Sequence, residues 1–117
     1  MTLNKHTLDK LYEVLQQRKS ASGNKSYVAS LYEKGTPKIA EKILEEAQEF
    51  IDEALLLDDN PNDAQTQQNI RNEAADLLFH LMAMLSHHNV PPSDIFKILE
   101  QRFGTSGHDE KASRKNR

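Results

Sequence analysis

Apolar residues recur at helical spacing along most of this chain, and no stretch alternates in the way a half-buried strand would. The first segment carries one apolar helical face, formed by Leu8, Leu11, Val14 and Leu15. Gly23 and Asn24 interrupt that face as turn residues. A short second helix is predicted to open at Ser26, its N-cap, and to stop at Gly35.

Three more helices follow from the same pattern. Thr36 is interpreted as an N-cap, with Pro37 at the first position of the third helix. The other expected limits are about Leu57 for the end of the third helix, Asp63 to about His88 for the fourth, and Ser93 as the cap of the last. The pattern therefore predicts an all-α protein, a helical bundle of about five helices.

The chain has 117 residues, which is enough for one domain with a real core. We expect residues 1–103 to form this domain. From Gly104 onward the sequence has no apolar periodicity, so residues 104–117 are predicted to be a polar, mobile tail.

Composition and charge exclude several classes of function. The net charge of −3 argues against general nucleic-acid binding, which needs a basic surface. There is no cysteine, so disulfides and thiolate zinc sites are impossible. No apolar run approaches the length of a membrane span, and the charged N-terminus does not read as a signal peptide. A cytoplasmic location is expected, with neither membrane nor nucleic acid as a partner.

Each of the two long helices carries a pair of carboxylates three residues apart, at the border between core and solvent. These pairs are Glu46 with Glu49, and Glu73 with Asp76. The short loop between the helices implies an antiparallel hairpin. Counted from Asn60 at its tip, Glu46 and Glu73 lie at about the same height, so all four carboxylates could converge.

Four anions in one partly dry place would need a cation to remain ionised. Because all four ligands are hard oxygens, that cation should be Mg²⁺, with Mn²⁺ as the alternative. The alternative to a metal site is an acidic helix face exposed to solvent, and Glu45, Asp52 and Glu53 fit that alternative. His80 lies in an apolar run. It is either a hydrogen-bonded core histidine or a residue that positions the Asp76 carboxylate by a hydrogen bond. Asn72 is also expected to support the ligands in this way.

Two stretches carry a family resemblance. "SYVASLYEKGTPKIAEKILEEAQE" and "NEAADLLFHL" resemble the phosphoribosyl-ATP pyrophosphohydrolases of histidine biosynthesis, which are all-α nucleotide pyrophosphohydrolases related to MazG-type enzymes. The hallmark of that superfamily is Glu-x-x-Glu on one helix and Glu-x-x-Asp on the next. The match spans about residues 8 to 103. Val28 and Leu44 stand where the family often has threonine and glycine, and neither is one of the four carboxylates.

The resemblance implies a reaction, in which phosphoribosyl-ATP and water give phosphoribosyl-AMP and pyrophosphate with Mg²⁺ as cofactor. It also implies a homodimer, which would cover the wide apolar stripes that reach Phe79 and Met82. Glu45 and Glu49 are both candidates to orient the attacking water, and the sequence does not choose between them. The candidates for substrate binding are Lys42, Lys38, Ser26 and Tyr27, with Lys111 and Arg114 as possible contacts from the tail.

Two other functions remain open at this point. One is a housekeeping nucleoside-triphosphate pyrophosphohydrolase of the same superfamily, which would share the carboxylates and differ in substrate. The other is a non-catalytic helical dimerisation module, which would bind no specific Mg²⁺.

Overall fold

A computed structural model describes residues 6–21 and 26–103, and within these ranges every regular element is an α-helix. The five helices are α1 (Thr7–Arg18), α2 (Tyr27–Lys34), α3 (Thr36–Asp59), α4 (Ala64–His87) and α5 (Pro92–Phe103). The prediction of an all-α fold with about five helices is confirmed. The predicted tail, with Lys111 and Arg114, lies outside the described residues, so its separation from the domain stays a prediction.

The two long helices, α3 and α4, pack against each other as an antiparallel hairpin and make the most extensive helix–helix contact of the fold. Asp63 caps the start of α4: its carboxylate accepts hydrogen bonds from the Thr66 backbone N–H at 2.9 Å and from the Thr66 hydroxyl at 2.6 Å. A carboxylate cap satisfies amide donors that the first helical turn leaves without a partner. This cap fixes where α4 begins, and with it the height of every α4 side chain opposite α3.

Helices α1 and α2 cover one side of α4. Leu15, Val28 and Met82 form one buried cluster, against which Phe79 packs. A second cluster joins Leu31 of α2 to α3 and α4. Met82 is therefore buried within its own chain, whereas Phe79 is only partly buried, and the predicted homodimer stays a prediction.

Two helix starts differ from the predicted ones. Gly35, with φ of +78°, is the N-cap of α3, so Thr36 is already helical and its hydroxyl lies 3.0 Å from Nε2 of His88. A residue without Cβ adopts this positive φ at no steric cost, which explains why the corner falls one residue early. The last helix begins at Pro92 and not after a Ser93 cap, since proline suits the first turn of a helix.

The far end of α4 is tied to α1 by polar side chains. The Gln16 amide donates to the Ser86 carbonyl at 2.9 Å, and the Lys19 ammonium donates to Oδ1 of Asn89 at 2.6 Å. These bonds hold α1 in register along α4. None of the helices in the described ranges has both the length and the apolar character that crossing a lipid bilayer demands.

Candidate active site

Three carboxylates from the two long helices converge on one point. Glu46 and Glu49 of α3 and Glu73 of α4 each place one oxygen within 4.8 Å of the oxygens of the other two. Glu46 is buried, with 9% of its surface exposed, while Glu73 is partly buried and Glu49 faces solvent. The group therefore spans the border between core and solvent, and we call these three residues the carboxylate cluster.

The pKa values of two carboxyl groups in the cluster are raised. Burial, followed by a hydrogen bond and charge repulsion from Glu49, raises the pKa of Glu73 from 4.5 to about 7. Burial also raises the pKa of Glu46, with further contributions from the charges of Glu49 and Asp76. At neutral pH Glu73 would therefore be protonated in about half of the molecules, and a bound cation would displace that proton.

The donor set of the cluster fits a hard divalent cation. Oε2 of Glu46 and Oε2 of Glu73 are buried, and neither has a hydrogen-bond partner among the described residues. Buried polar atoms are normally satisfied, so two such oxygens in one acidic group point to a missing positive partner. Carboxylate oxygens of this kind are the ligands that Mg²⁺ and Mn²⁺ prefer.

Asp76, the fourth predicted ligand, lies beside the cluster and outside it. Its side chain is exposed, and its oxygens are not part of the group that meets within 4.8 Å. Its charge is nevertheless close enough to raise the pKa of both Glu46 and Glu73. An aspartate is one methylene shorter than a glutamate, which accounts for its shorter reach from the same helix edge.

His80 is buried, with 6% of its surface exposed, and both of its ring nitrogens have partners. Nδ1 lies 2.8 Å from the backbone carbonyl of Asp76, and Nε2 lies 2.8 Å from the Tyr27 hydroxyl. A carbonyl only accepts, so Nδ1 carries the proton and Nε2 accepts from the phenol. The expected contact between His80 and the Asp76 carboxylate is not made, because the helical spacing of four residues brings the ring to the backbone oxygen instead.

Tyr27 extends the site from α4 to the start of α2. Its ring is half exposed and meets His80 edge to face. Burial raises the pKa of its hydroxyl, opposed by the charge of Lys42 and assisted by that of Glu46. The phenol therefore stays protonated at neutral pH and donates to His80.

The two predicted substrate lysines lie along the same edge of α3 and near the phenol. The ammonium of Lys42 lies 3.2 Å from Oε1 of Glu45, and that of Lys38 lies 3.2 Å from Oε1 of Glu41. The hydrogen bond with Glu45 raises the pKa of Lys42. Of the two carboxylates considered for orienting water, Glu45 is paired with a lysine, whereas Glu49 belongs to the cluster.

Two other predicted site residues have local roles. The Ser26 hydroxyl accepts from the Ala29 backbone N–H at 3.2 Å, which confirms it as the cap of α2. Asn72 is exposed and accepts a hydrogen bond at 3.1 Å from Gln68 on its own helix. This local contact does not join Asn72 to the cluster, and its supporting role stays a prediction.

Glu53 is a residue that the sequence interpretation left on the surface. Its Oε1 accepts from the Asn69 amide at 3.1 Å, across the hairpin, and its Oε2 is buried without a described partner. Glu53 follows Glu49 by four residues and Asn69 precedes Glu73 by four. Because Glu53 and Asn69 lie on the same two helix edges as the cluster, their spacing could have indicated that they meet across the hairpin.

Comparisons with known proteins identify the family of the chain. A family model described as phosphoribosyl-ATP pyrophosphohydrolase matches residues 8–103. A curated relative from Geobacter sulfurreducens, named phosphoribosyl-ATP pyrophosphatase, is 44% identical over 107 residues, covering 92% of each chain. Relatives of the same name come from Hydrogenovibrio crunogenus, at 47% identity over 89% of this chain and 88% of theirs, and from Trichlorobacter lovleyi, at 41% over 98% and 99%. On these matches the chain belongs to the phosphoribosyl-ATP pyrophosphohydrolase family and is a hydrolase.

Proposed function

We propose that this protein hydrolyses phosphoribosyl-ATP to phosphoribosyl-AMP and pyrophosphate in histidine biosynthesis, with Mg²⁺ as cofactor and Mn²⁺ as a substitute. The observation that carries the proposal is the carboxylate cluster, with its two buried oxygens that lack partners. Relatives that align over nearly the whole chain are named for the same substrate.

Glu46, Glu49 and Glu73 would hold the ion, and Asp76, whose charge acts on Glu73, would be the fourth ligand. Bound Mg²⁺ supplies positive charge that offsets the phosphate oxygens and the developing charge on the leaving pyrophosphate. Glu46 is the anchor of this set because its burial restricts its movement.

The other residues of the site act on the phosphates and on the water. Lys42 and Lys38, whose charges both act on the Tyr27 hydroxyl, would bind phosphate oxygens by charge-assisted hydrogen bonds. Glu49, exposed within the cluster, would orient the attacking water and take its proton. The Glu45 partner of Lys42 would keep the ammonium in place before substrate arrives.

A homodimer is part of this proposal. Leu44, Ile51 and Leu55 share one face of α3 and are 71%, 48% and 58% exposed. On α4, Leu78 and Leu81 are 47% and 41% exposed. Large apolar side chains grouped in this way are typical of a surface that packs against a second copy.

The test is pyrophosphate release by the purified protein from phosphoribosyl-ATP, with Mg²⁺, with Mn²⁺ and with a chelator. ATP, dATP and dUTP serve as comparison substrates, because a housekeeping pyrophosphohydrolase would prefer one of them. Selective, metal-dependent release from phosphoribosyl-ATP is expected. Equal or faster release from a common nucleotide would contradict the proposed substrate.

A further inference from the structure

A cavity of about 330 Å³ opens beside Tyr27, between α1, the start of α2 and α4. Its walls are largely apolar, with Val14 and Leu15 from α1, Val28 from α2 and Phe79 from α4. The Tyr27 ring forms one side, and Arg18 lies at the end of α1. The volume is at the small end of the range of roughly 300–1,000 Å³ usual for small-molecule sites.

Tyr27 links the cavity to the carboxylate site. Tyr27 lines the cavity, while its hydroxyl lies 2.8 Å from His80, whose other ring nitrogen reaches the Asp76 backbone. The charges of Lys42 and Glu46 act on the same hydroxyl. A ligand whose phosphates lie at the cluster edge would therefore extend directly into this cavity.

The side chains that line the cavity indicate which kind of ligand group would bind in it. Aliphatic side chains and the rings of Phe79 and Tyr27 suit a flat ring, which gains from apolar burial and from aromatic contacts. None of the described side chains that line the cavity is acidic, and Arg18 is its one cation. A ring that carries a phosphate beyond it would place that phosphate near the Arg18 guanidinium.

We propose that this cavity is the subsite for the purine base of the substrate, and that Arg18 binds the phosphate of the phosphoribosyl group. The inference rests on the proposed function, since phosphoribosyl-ATP has phosphates on both sides of its base. The polyphosphate lies at the cluster and the lysines, the base lies between Tyr27 and Phe79, and the second phosphate lies at Arg18. Arg18 then distinguishes phosphoribosyl-ATP from plain ATP.

The first test fills the cavity. Val14 is 42% exposed, so Val14→Trp adds an indole at the rim without disturbing buried packing. We expect this variant to raise KM for phosphoribosyl-ATP by about ten- to a hundredfold, the range that shape changes in an apolar pocket produce. Gln17→Trp, on the exposed side of the same helix and outside the cavity lining, is the matched control and should keep the wild-type KM.

A second variant removes an aromatic wall and leaves the cavity open. Phe79→Leu should raise KM for phosphoribosyl-ATP and the inhibition constant of ATP together, because both ligands carry the base. The inhibition constant of tripolyphosphate, which has no base, should stay at its wild-type value in Phe79→Leu and in Val14→Trp. Circular dichroism and melting of each variant confirm that the fold is retained.

The third test separates the base from the second phosphate. Arg18→Gln should raise KM for phosphoribosyl-ATP while leaving the inhibition constant of ATP unchanged. Equal effects on both ligands would overturn the assignment of Arg18. A wild-type KM in folded Val14→Trp and Phe79→Leu would overturn the base subsite while wild-type activity still stands. A wild-type protein that releases no pyrophosphate from phosphoribosyl-ATP would instead overturn the proposed function and this inference with it.

Discussion

The hydroxyl of Tyr27 lies 2.8 Å from Nε2 of His80, and this bond joins the first residue of α2 to the middle of α4. The same imidazole reaches the Asp76 carbonyl through Nδ1 at 2.8 Å. The bond therefore connects the wall of the cavity to the helix that carries Glu73 and Asp76. The contact with the carbonyl requires a proton on Nδ1, because a carbonyl oxygen only accepts.

Tyr27→Phe should remove this bond and leave the buried Nε2 of His80 without a donor. We expect a loss of about 1 kcal/mol in the free energy of unfolding, which corresponds to a melting temperature lower by about 4 °C for a domain of this size. The measurement is thermal unfolding at neutral pH. ¹⁵N chemical shifts of the wild-type imidazole should show the proton on Nδ1, and the opposite tautomer would contradict the assigned bond.

Substitutions of the carboxylates should distinguish the roles of the cluster residues from the role of Glu45. Glu49→Gln and Glu73→Gln should lower kcat/KM by about a hundredfold or more, since losing a ligand costs at least as much as losing a residue that supports one. Glu45→Gln is the matched control, because Glu45 pairs with Lys42 and lies outside the cluster. We expect it to affect KM more than kcat. If Glu45→Gln abolished turnover while Glu49→Gln preserved it, the roles assigned to the two residues would be reversed.

The stability of the metal-free protein should depend on pH through Glu73. Its pKa rises from 4.5 to about 7 on folding, so its contribution to stability is complete below about pH 4.5 and is lost as the pH rises through 7. Glu73→Gln cannot ionise and should escape that loss. The melting temperature of Glu73→Gln minus that of the wild type should therefore be larger at about pH 8 than at about pH 5. An equal difference at both pH values, measured with a chelator present, would contradict the raised pKa.

Added Mg²⁺ should stabilise the folded protein by mass action, because the converged carboxylates exist only in the folded state. At a concentration of about 100 times the dissociation constant, the gain would be about 2.7 kcal/mol. Without metal, Glu49→Gln should melt at a higher temperature than the wild type, since it removes one of the repelling charges. An unchanged wild-type midpoint at millimolar Mg²⁺ would count against a preformed site.

The proposed dimer should depend on the exposed apolar face of α3. Leu55→Asp or Ile51→Asp would place a charge on that face, and we expect either to lower the dimer fraction in analytical ultracentrifugation. Gln17→Asp introduces the same charge on α1, away from this face, and is the control. If the wild-type protein sedimented as a monomer at all concentrations, the proposed dimer would be contradicted.

Hydrophobic periodicity predicted the helices well, because α3 and α4 bury stripes long enough to outweigh local irregularities. Corner geometry was harder to predict, as Gly35 shows. Both Gly35 and Thr36 are acceptable caps by residue type, and the Thr36 hydroxyl lies 3.0 Å from Nε2 of His88, 52 residues away, instead of capping its own helix. Contacts between residues so distant in sequence leave no local pattern.

The carboxylate site was predictable in position but not in detail. Equal height along a hairpin placed Glu46, Glu49 and Glu73 together, since helical rise is uniform. The side-chain geometry of Asp76 and His80 depends on reach and rotamer, which spacing alone does not specify. Glu53 was assigned to the surface because an exposed acidic residue is the commoner outcome, and only the structure brings it to Asn69.

The single-residue corner at Gly35 has a consequence for how this family can vary in length. One residue both ends α2 and caps α3, so inserting or deleting a residue there would turn one helix by about 100° relative to the other. Such a turn would carry Tyr27 away from His80 and close or displace the cavity beside it. The length of the α2–α3 junction thus sets the position of Tyr27 relative to His80, whereas the turn after Asn60 can lengthen as long as the two long helices keep their alignment.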